Sequence, residues 1–240
     1  MRLLLLNGNT SQAMTNRLMV AACSIADAGT EIVPLTARFG AEVIASRAAY
    51  AIASHAVLDA FAAYSGAQPD AVVLACFGDP GLAALREVSG LPCFGMAEAG
   101  CRAAAAQARR FSIVTGGKKW GPMLTEYAAS LGLATQLASV RVLQADGGQI
   151  GAQPEAAREA IFQAAQAAVS EDGAELVILG GAGMVGQVEP LAARLNVPVI
   201  DGLTPAIRMA EAATGELVVE KPSPVASTGL SGELSRLLAR

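Results

Sequence analysis

The chain alternates short, almost wholly apolar runs with longer segments in which apolar positions recur at helical spacing. The apolar runs are "RLLLLN", "TEIVPLT", "DAVVLAC", "LPCFGM", "FSIVTG", "LASVRVL", "ELVILGG" and "VPVIDG". Each is bounded by turn residues and has the length of a strand. Strands buried on both faces read as continuous apolar runs, whereas half-exposed strands alternate. The Ala-rich segments between them supply the covering helices, and the longest helix is predicted over 40–65. Such alternation predicts an α/β protein with parallel sheets flanked by helices.

The pattern also repeats. With Cys76 aligned on Gly181, Leu74 falls on Leu179 and Gly78 on Gly183, and Pro92 and Pro198 follow with one residue of offset. Upstream, the strand ending at Asn7 pairs with that ending at Thr115, so the intervals to Cys76 and Gly181 are 69 and 66 residues. This order predicts two similar Rossmann-like lobes related by a pseudo-twofold axis: residues 1–97 form the first and 98–203 the second. Helices from about 204–240 are expected to pack back on the first. Ligands of such sheets bind beyond the carboxyl ends of the strands. The loops at 7–11, 76–81, 115–119 and 180–186 should therefore converge on one cleft between the lobes.

Composition narrows the function. Hydrophobic residues make up 53% of the 240, charged residues 16%, and the formal net charge is −4. No basic cluster exceeds "ARR" or "GKK", which argues against nucleic-acid binding. No apolar run reaches the roughly 18–20 residues of a membrane span. "MRLLLLNGNTS" reads as a first strand rather than a secretory leader, and a cytoplasmic location is the default expectation. One histidine and no C-x-x-C pair leave no zinc motif. His55 is read as a helix-surface residue. Cys23, Cys93 and Cys101 read as buried small hydrophobes.

Cys76 stands apart. In "CFGDPGL", Asp79 is placed to cap a helix and Pro80 to open it. Cys76 would then precede a helix N-terminus, whose partial positive charge favours the thiolate and lowers the pKa. Free amides at Phe77 and Gly78 would bind an oxyanion or carboxylate, with Gly78 permitting close approach. "NGNTS" offers Asn9, Thr10 and Ser11 as substrate donors or helix caps. "TGGKKWG" is its second-half equivalent, contributing Thr115 and Gly116. Lys118 and Lys119 read as solvated, and Trp120 as core or cleft wall. "GAGMVG" at 181–186 is literally G-x-G-x-x-G, with Asp201 20 residues beyond its first glycine. That is a dinucleotide-binding pattern, but its repeat partner "CFGDPG" is none.

"LNGNTS", "ACFGDPGL", "RFSIVT", "LGGAGM" and "VPVIDG" together resemble the hydantoin and allantoin racemases of the aspartate/glutamate racemase superfamily, over nearly the whole chain. The resemblance implies a cofactor-independent enzyme acting on a small carbonyl or carboxylate substrate, and a homo-oligomer is expected. In that family two cysteines face opposite sides of a carbon next to a carbonyl, one removing and one returning a proton. Cys76 matches the first. Gly181 stands in place of the second, and Gly8 replaces the usual proline of the first loop. The resemblance therefore implies Cys76 as acid/base, with Gly181, Ala182 and Gly183 as substrate-binding backbone and slow inversion for want of a second thiol. Two alternatives stay open. The related arylmalonate decarboxylases use one cysteine as sole proton donor, although theirs corresponds to the second site. A non-catalytic small-molecule binding protein is the other.

Overall fold

The computed structural model describes residues 1–213 and 227–239. All eight apolar runs form strands: β1 (Arg2–Asn7), β2 (Glu31–Thr36), β3 (Ala71–Leu74), β4 (Cys93–Gly95), β5 (Phe111–Gly116), β6 (Leu137–Leu143), β7 (Leu176–Gly180) and β8 (Val199–Asp201). They build two four-stranded parallel sheets of the same order, β2-β1-β3-β4 and β6-β5-β7-β8. The internal repeat is thus a repeat of topology. Leu6 pairs with Leu74 in one sheet as Val114 pairs with Leu179 in the other. Pro34 lies on β2, an edge strand, where a missing N–H is tolerated.

Period-two geometry sends alternate residues to opposite faces of each strand. Leu3, Leu5 and Val73 join Phe111, Ile113 and Ile178 in a core shared by both halves. Leu4, Leu6, Val72 and Leu74 face outward against Val57, Leu82 and Leu85. Val114, Val177 and Leu179 do the same in the second half against Ile161 and Ala165. The helices behind these layers are α1 (Gln12–Ile25), α2 (Arg47–Ala63), α3 (Leu82–Ser89), α4 (Met96–Gln107), α5 (Trp120–Ser130), α6 (Gly147–Ala152), α7 (Pro154–Ser170), α8 (Val188–Ala192), α9 (Leu203–Ala212) and α10 (Gly232–Leu238). Helix α9 packs on α4, β4, β3 and α1, while α10 lies on α2. Part of the expected C-terminal helical stretch, 214–226 and 240, lies outside the described residues. No described helix is long and apolar enough to cross a membrane.

Two boundaries differ from the sequence expectation. The helix predicted over 40–65 begins only at Arg47, where the Ser46 hydroxyl accepts a hydrogen bond from the Ala49 amide. Two carbonyls of the preceding segment are engaged elsewhere. The Ala41 carbonyl accepts from Thr10 N–H at 3.1 Å, and the Ile44 carbonyl accepts from the Trp120 indole at 2.8 Å. The helix after Cys76 begins at Leu82, with Gly81 in left-handed geometry (φ 78°) and no side-chain cap. Asp79 does not cap it. Cys23 is exposed rather than buried, whereas Cys93 and Cys101 are buried as expected.

Leu5 is fully buried at the shared core and Val20 is 73% exposed. Urea unfolding should show Leu5→Ala costing about 2–5 kcal/mol and Val20→Ala within about 0.5 kcal/mol. Equal costs would refute this placement of the core.

Candidate active site

Cys76 lies two residues beyond β3, and Gly181 one residue beyond the equivalent strand β7. Both line one cleft between the halves. An ideal Cβ at Gly8 would come within 3.9 Å of the Cys76 Cβ, so the first loop abuts the thiol. Of the residues expected to bind substrate, Asn9, Phe77, Thr115, Gly116, Gly181, Ala182 and Gly183 line this cleft. Thr10, Ser11 and Gly78 do not. Thr10 holds the 41–46 loop through its amide, and the Ser11 hydroxyl caps α1 at the Met14 amide. Gly78 (φ 130°) makes room for Trp120, since a Cβ there would come within 2.5 Å of the indole ring. Trp120 both packs and lines the cleft; Lys118 and Lys119 are exposed.

Asn9 has a fixed orientation. Its Oδ1 accepts from Asn7 Nδ2 at 2.9 Å and from the Ser11 amide at 2.9 Å. Asn7 in turn donates to Thr15 Oγ1 at 3.0 Å. With its oxygen engaged twice, Asn9 has only its amino group to offer the cleft.

The loop carrying Cys76 is held by a carboxylate. Asp79 is 3% exposed and is the one described non-glycine residue with positive φ, at 54°. Its Oδ1 accepts from the Ala97 amide at 3.0 Å. Its Oδ2 accepts from the Glu98 amide and from the Tyr127 hydroxyl, both at 2.7 Å. Asp79 therefore caps α4, 18 residues downstream, and reaches α5 of the second half. A Cβ at Gly95 would collide with this carboxylate, so that glycine is required. Tyr50 adds a second tie, its hydroxyl donating to the Gly78 carbonyl at 2.9 Å.

This arrangement reverses the expected acidity of Cys76. The thiol is 8% exposed, and burial, reinforced by the Asp79 charge, pushes its pKa up to about 12. No helix N-terminus offsets this, because α3 starts six residues later. Burial likewise pushes the Asp79 carboxyl up to about 6, against the lowering effect of Tyr127 and the two α4 amides. At neutral pH the pair is thus a protonated thiol beside a carboxylate.

The segments 42–44 and 147–150 complete the cleft and were not expected there. Glu42, Val43 and Ile44 come from the loop before α2, and Gly147, Gly148 and Ile150 from α6. A legible signal existed for the second: "DGGQ" is a capping box, and Asp146 and Gln149 make both of its hydrogen bonds. The G-x-G-x-x-G stretch does not fit a dinucleotide. It forms a 3-10 turn, Ala182–Met184, followed by the five-residue α8. Gly183 serves close packing, since a Cβ there would collide with the Gly147 carbonyl. Asp201 is engaged by the Thr204 amide and hydroxyl. Among the described residues no cluster of three His, Cys, Asp or Glu side chains is arranged to hold a metal.

Thiol labelling tests these electrostatics. Exposed Cys23 should be alkylated first, and Cys76 slowly at neutral pH, contrary to the order its motif alone suggests. Asp79→Asn removes the neighbouring charge and should speed Cys76 labelling several-fold at fixed pH. An unchanged rate in a folded variant would show that the charge does not govern the thiol.

Comparison with known proteins follows the same lines. Residues 3–210 match the model of the family described as Asp/Glu/Hydantoin racemase. A hydantoin racemase from Paenarthrobacter aurescens is 38% identical over 212 residues, covering 88% of this chain and 90% of that protein. The crystal structure of allantoin racemase from Pseudomonas fluorescens is similar with a TM-score of 0.90 at 34% identity, covering 95% of this chain and 100% of that chain. A liganded mutant of arylmalonate decarboxylase shares the fold alone, with a TM-score of 0.65 at 16% identity over 91% of this chain and 96% of that one. The chain belongs to the Asp/Glu/hydantoin racemase family and is an enzyme of that isomerase class.

Proposed function

We propose that the protein transfers a proton at the carbon α to a carbonyl of a small, uncharged cyclic substrate of the hydantoin type, with Cys76 as acid/base. The observation that carries this reading is Cys76 standing just beyond the carboxyl end of β3 in a cleft that the equivalent β7 loop also lines. Proton removal there leaves an enolate, whose charge is stabilised by donors aimed at the oxygen. Asn9 offers N–H groups only, and Ala182 and Gly183 bring backbone to the same cleft.

Charge supports the uncharged class. Among the described residues no lysine or arginine lines the cleft, and Glu42 is the one carboxylate that does. A dicarboxylate would enter without a cationic partner, whereas a neutral ring with two carbonyls matches the donors present. A second reading, protonation of an enediolate after loss of carbon dioxide, is favoured by one observation. Cys76 is held as a thiol, the form a proton donor needs, opposite a position with no side chain.

The expected outcome in D2O is α-deuteration of a 5-monosubstituted hydantoin, followed by NMR. Cys76→Ala should lower it by at least the 10²–10⁴-fold typical of general acid–base catalysis, and Cys93→Ala should leave most of it. Exchange surviving in Cys76→Ala would refute the role of this thiol. Decarboxylation of an arylmalonate without hydantoin exchange would establish the second reading instead.

A further inference from the structure

Inversion at carbon needs a proton-exchanging group on each face, and Gly181 supplies none. Among the described residues lining the cleft, only Cys76 and Glu42 carry a thiol or carboxyl group. Asp79, Tyr127 and Tyr50 do not line the cleft: Asp79 accepts from two α4 amides and from Tyr127, and Tyr50 donates to the Gly78 carbonyl. Glu42 makes no hydrogen bond or ion pair among the described residues, so its carboxylate is free to act.

The loop that carries Glu42 contacts the second half. It leaves the first half after β2 and crosses to the second. Ile44 is bonded to Trp120, and Val43 packs on α6, 2.8 Å from where a Cβ of Gly148 would stand. On α6 the neighbouring Gly147 carbonyl abuts Gly183, two residues from Gly181. The segments carrying Glu42 and Gly181 are therefore linked through a single turn of α6. A Cβ built on Gly181 meets nothing within 4 Å, so the cleft is open at that point.

We infer that Glu42 is the second proton-exchanging group of the active site, taking over on the Gly181 side the task that a side chain at 181 would perform. The inference rests on the proton-transfer reading above. In one direction the Glu42 carboxylate removes the α-proton and becomes a carboxylic acid, and the C–H electron pair passes into the adjacent carbonyl as an enolate. The Cys76 S–H then delivers its proton to the other face. The enolate pair forms the new C–H bond, leaving a thiolate. Proton exchange with solvent returns Glu42 to carboxylate and Cys76 to thiol. The opposite enantiomer runs these steps in reverse from the state in which the proton sits on Glu42 and Cys76 is the thiolate: Cys76 removes the α-proton and Glu42 returns one to the other face.

The test follows inversion and α-deuteration of single-enantiomer 5-isopropylhydantoin in D2O, by chiral chromatography and NMR. Glu42→Gln should lower kcat for inversion by about 10²–10⁴-fold, with KM within a few-fold of the unaltered protein. The melting temperature and the Cys76 labelling rate should not change, because Glu42 touches neither the core nor Asp79. Inversion within about three-fold of the unaltered protein would overturn the assignment. So would a loss carried wholly by KM, which would make Glu42 a binding residue. Absence of any α-exchange in the unaltered protein would overturn this inference and the function reading together; exchange that persists there while Glu42→Gln still inverts overturns this inference alone.

Discussion

A buried carboxylate organises this site. Asp79 accepts hydrogen bonds from two α4 amides and one tyrosine hydroxyl while sitting in left-handed backbone geometry. Hydrogen bonds to a charged group contribute about 1.5–3 kcal/mol each, enough together to offset a strained φ at a residue type that tolerates it. The geometry has two consequences. It fixes the turn three residues after Cys76, and it links that turn to α4 and to Tyr127 of α5. Gly95 is constrained to have no side chain so that the carboxylate can approach. Removing the carboxylate would leave two amides and a half-buried hydroxyl without their partner, and losing such partners costs more than the bonds gain.

The cleft is asymmetric in chemistry although the two sheets share one strand order. One half presents a thiol whose proton is held by burial and by a neighbouring negative charge. The other presents Gly181 at φ 147° and ψ 141°, a conformation that is essentially glycine-only. Its neighbour Gly183 is pressed on α6. The second half thus shapes the cleft with backbone, and titratable chemistry on its side arrives with the loop that crosses from the first half.

Much of this was legible in the chain. Eight apolar runs became eight strands because burial on both faces leaves a local, readable signal. The repeat became two sheets of one order because topology follows element order. Cys76 was legible from its place after a strand. Its acidity was not, because the sign depended on where Asp79 points. An Asp-Pro pair reads locally as a cap on the next helix, and only the fold shows α4 to be a better partner for that carboxylate. The helix start at Arg47 was hidden for a similar reason: Trp120, 76 residues from Ile44, claims a carbonyl that a longer helix would have used. Gly78 invited a ligand reading, yet its missing side chain accommodates an indole.

Burial and the neighbouring Asp79 charge together keep Cys76 a thiol, and these points meet there. The most direct measurement is a pH titration of the Cys76 resonance in protein labelled with ¹³Cβ-cysteine, assigned by comparison with Cys76→Ala. The account predicts that the thiol signal persists through pH 10, with its midpoint near 12. A thiolate signal with a midpoint at or below the roughly 8.5 of a free cysteine would contradict it.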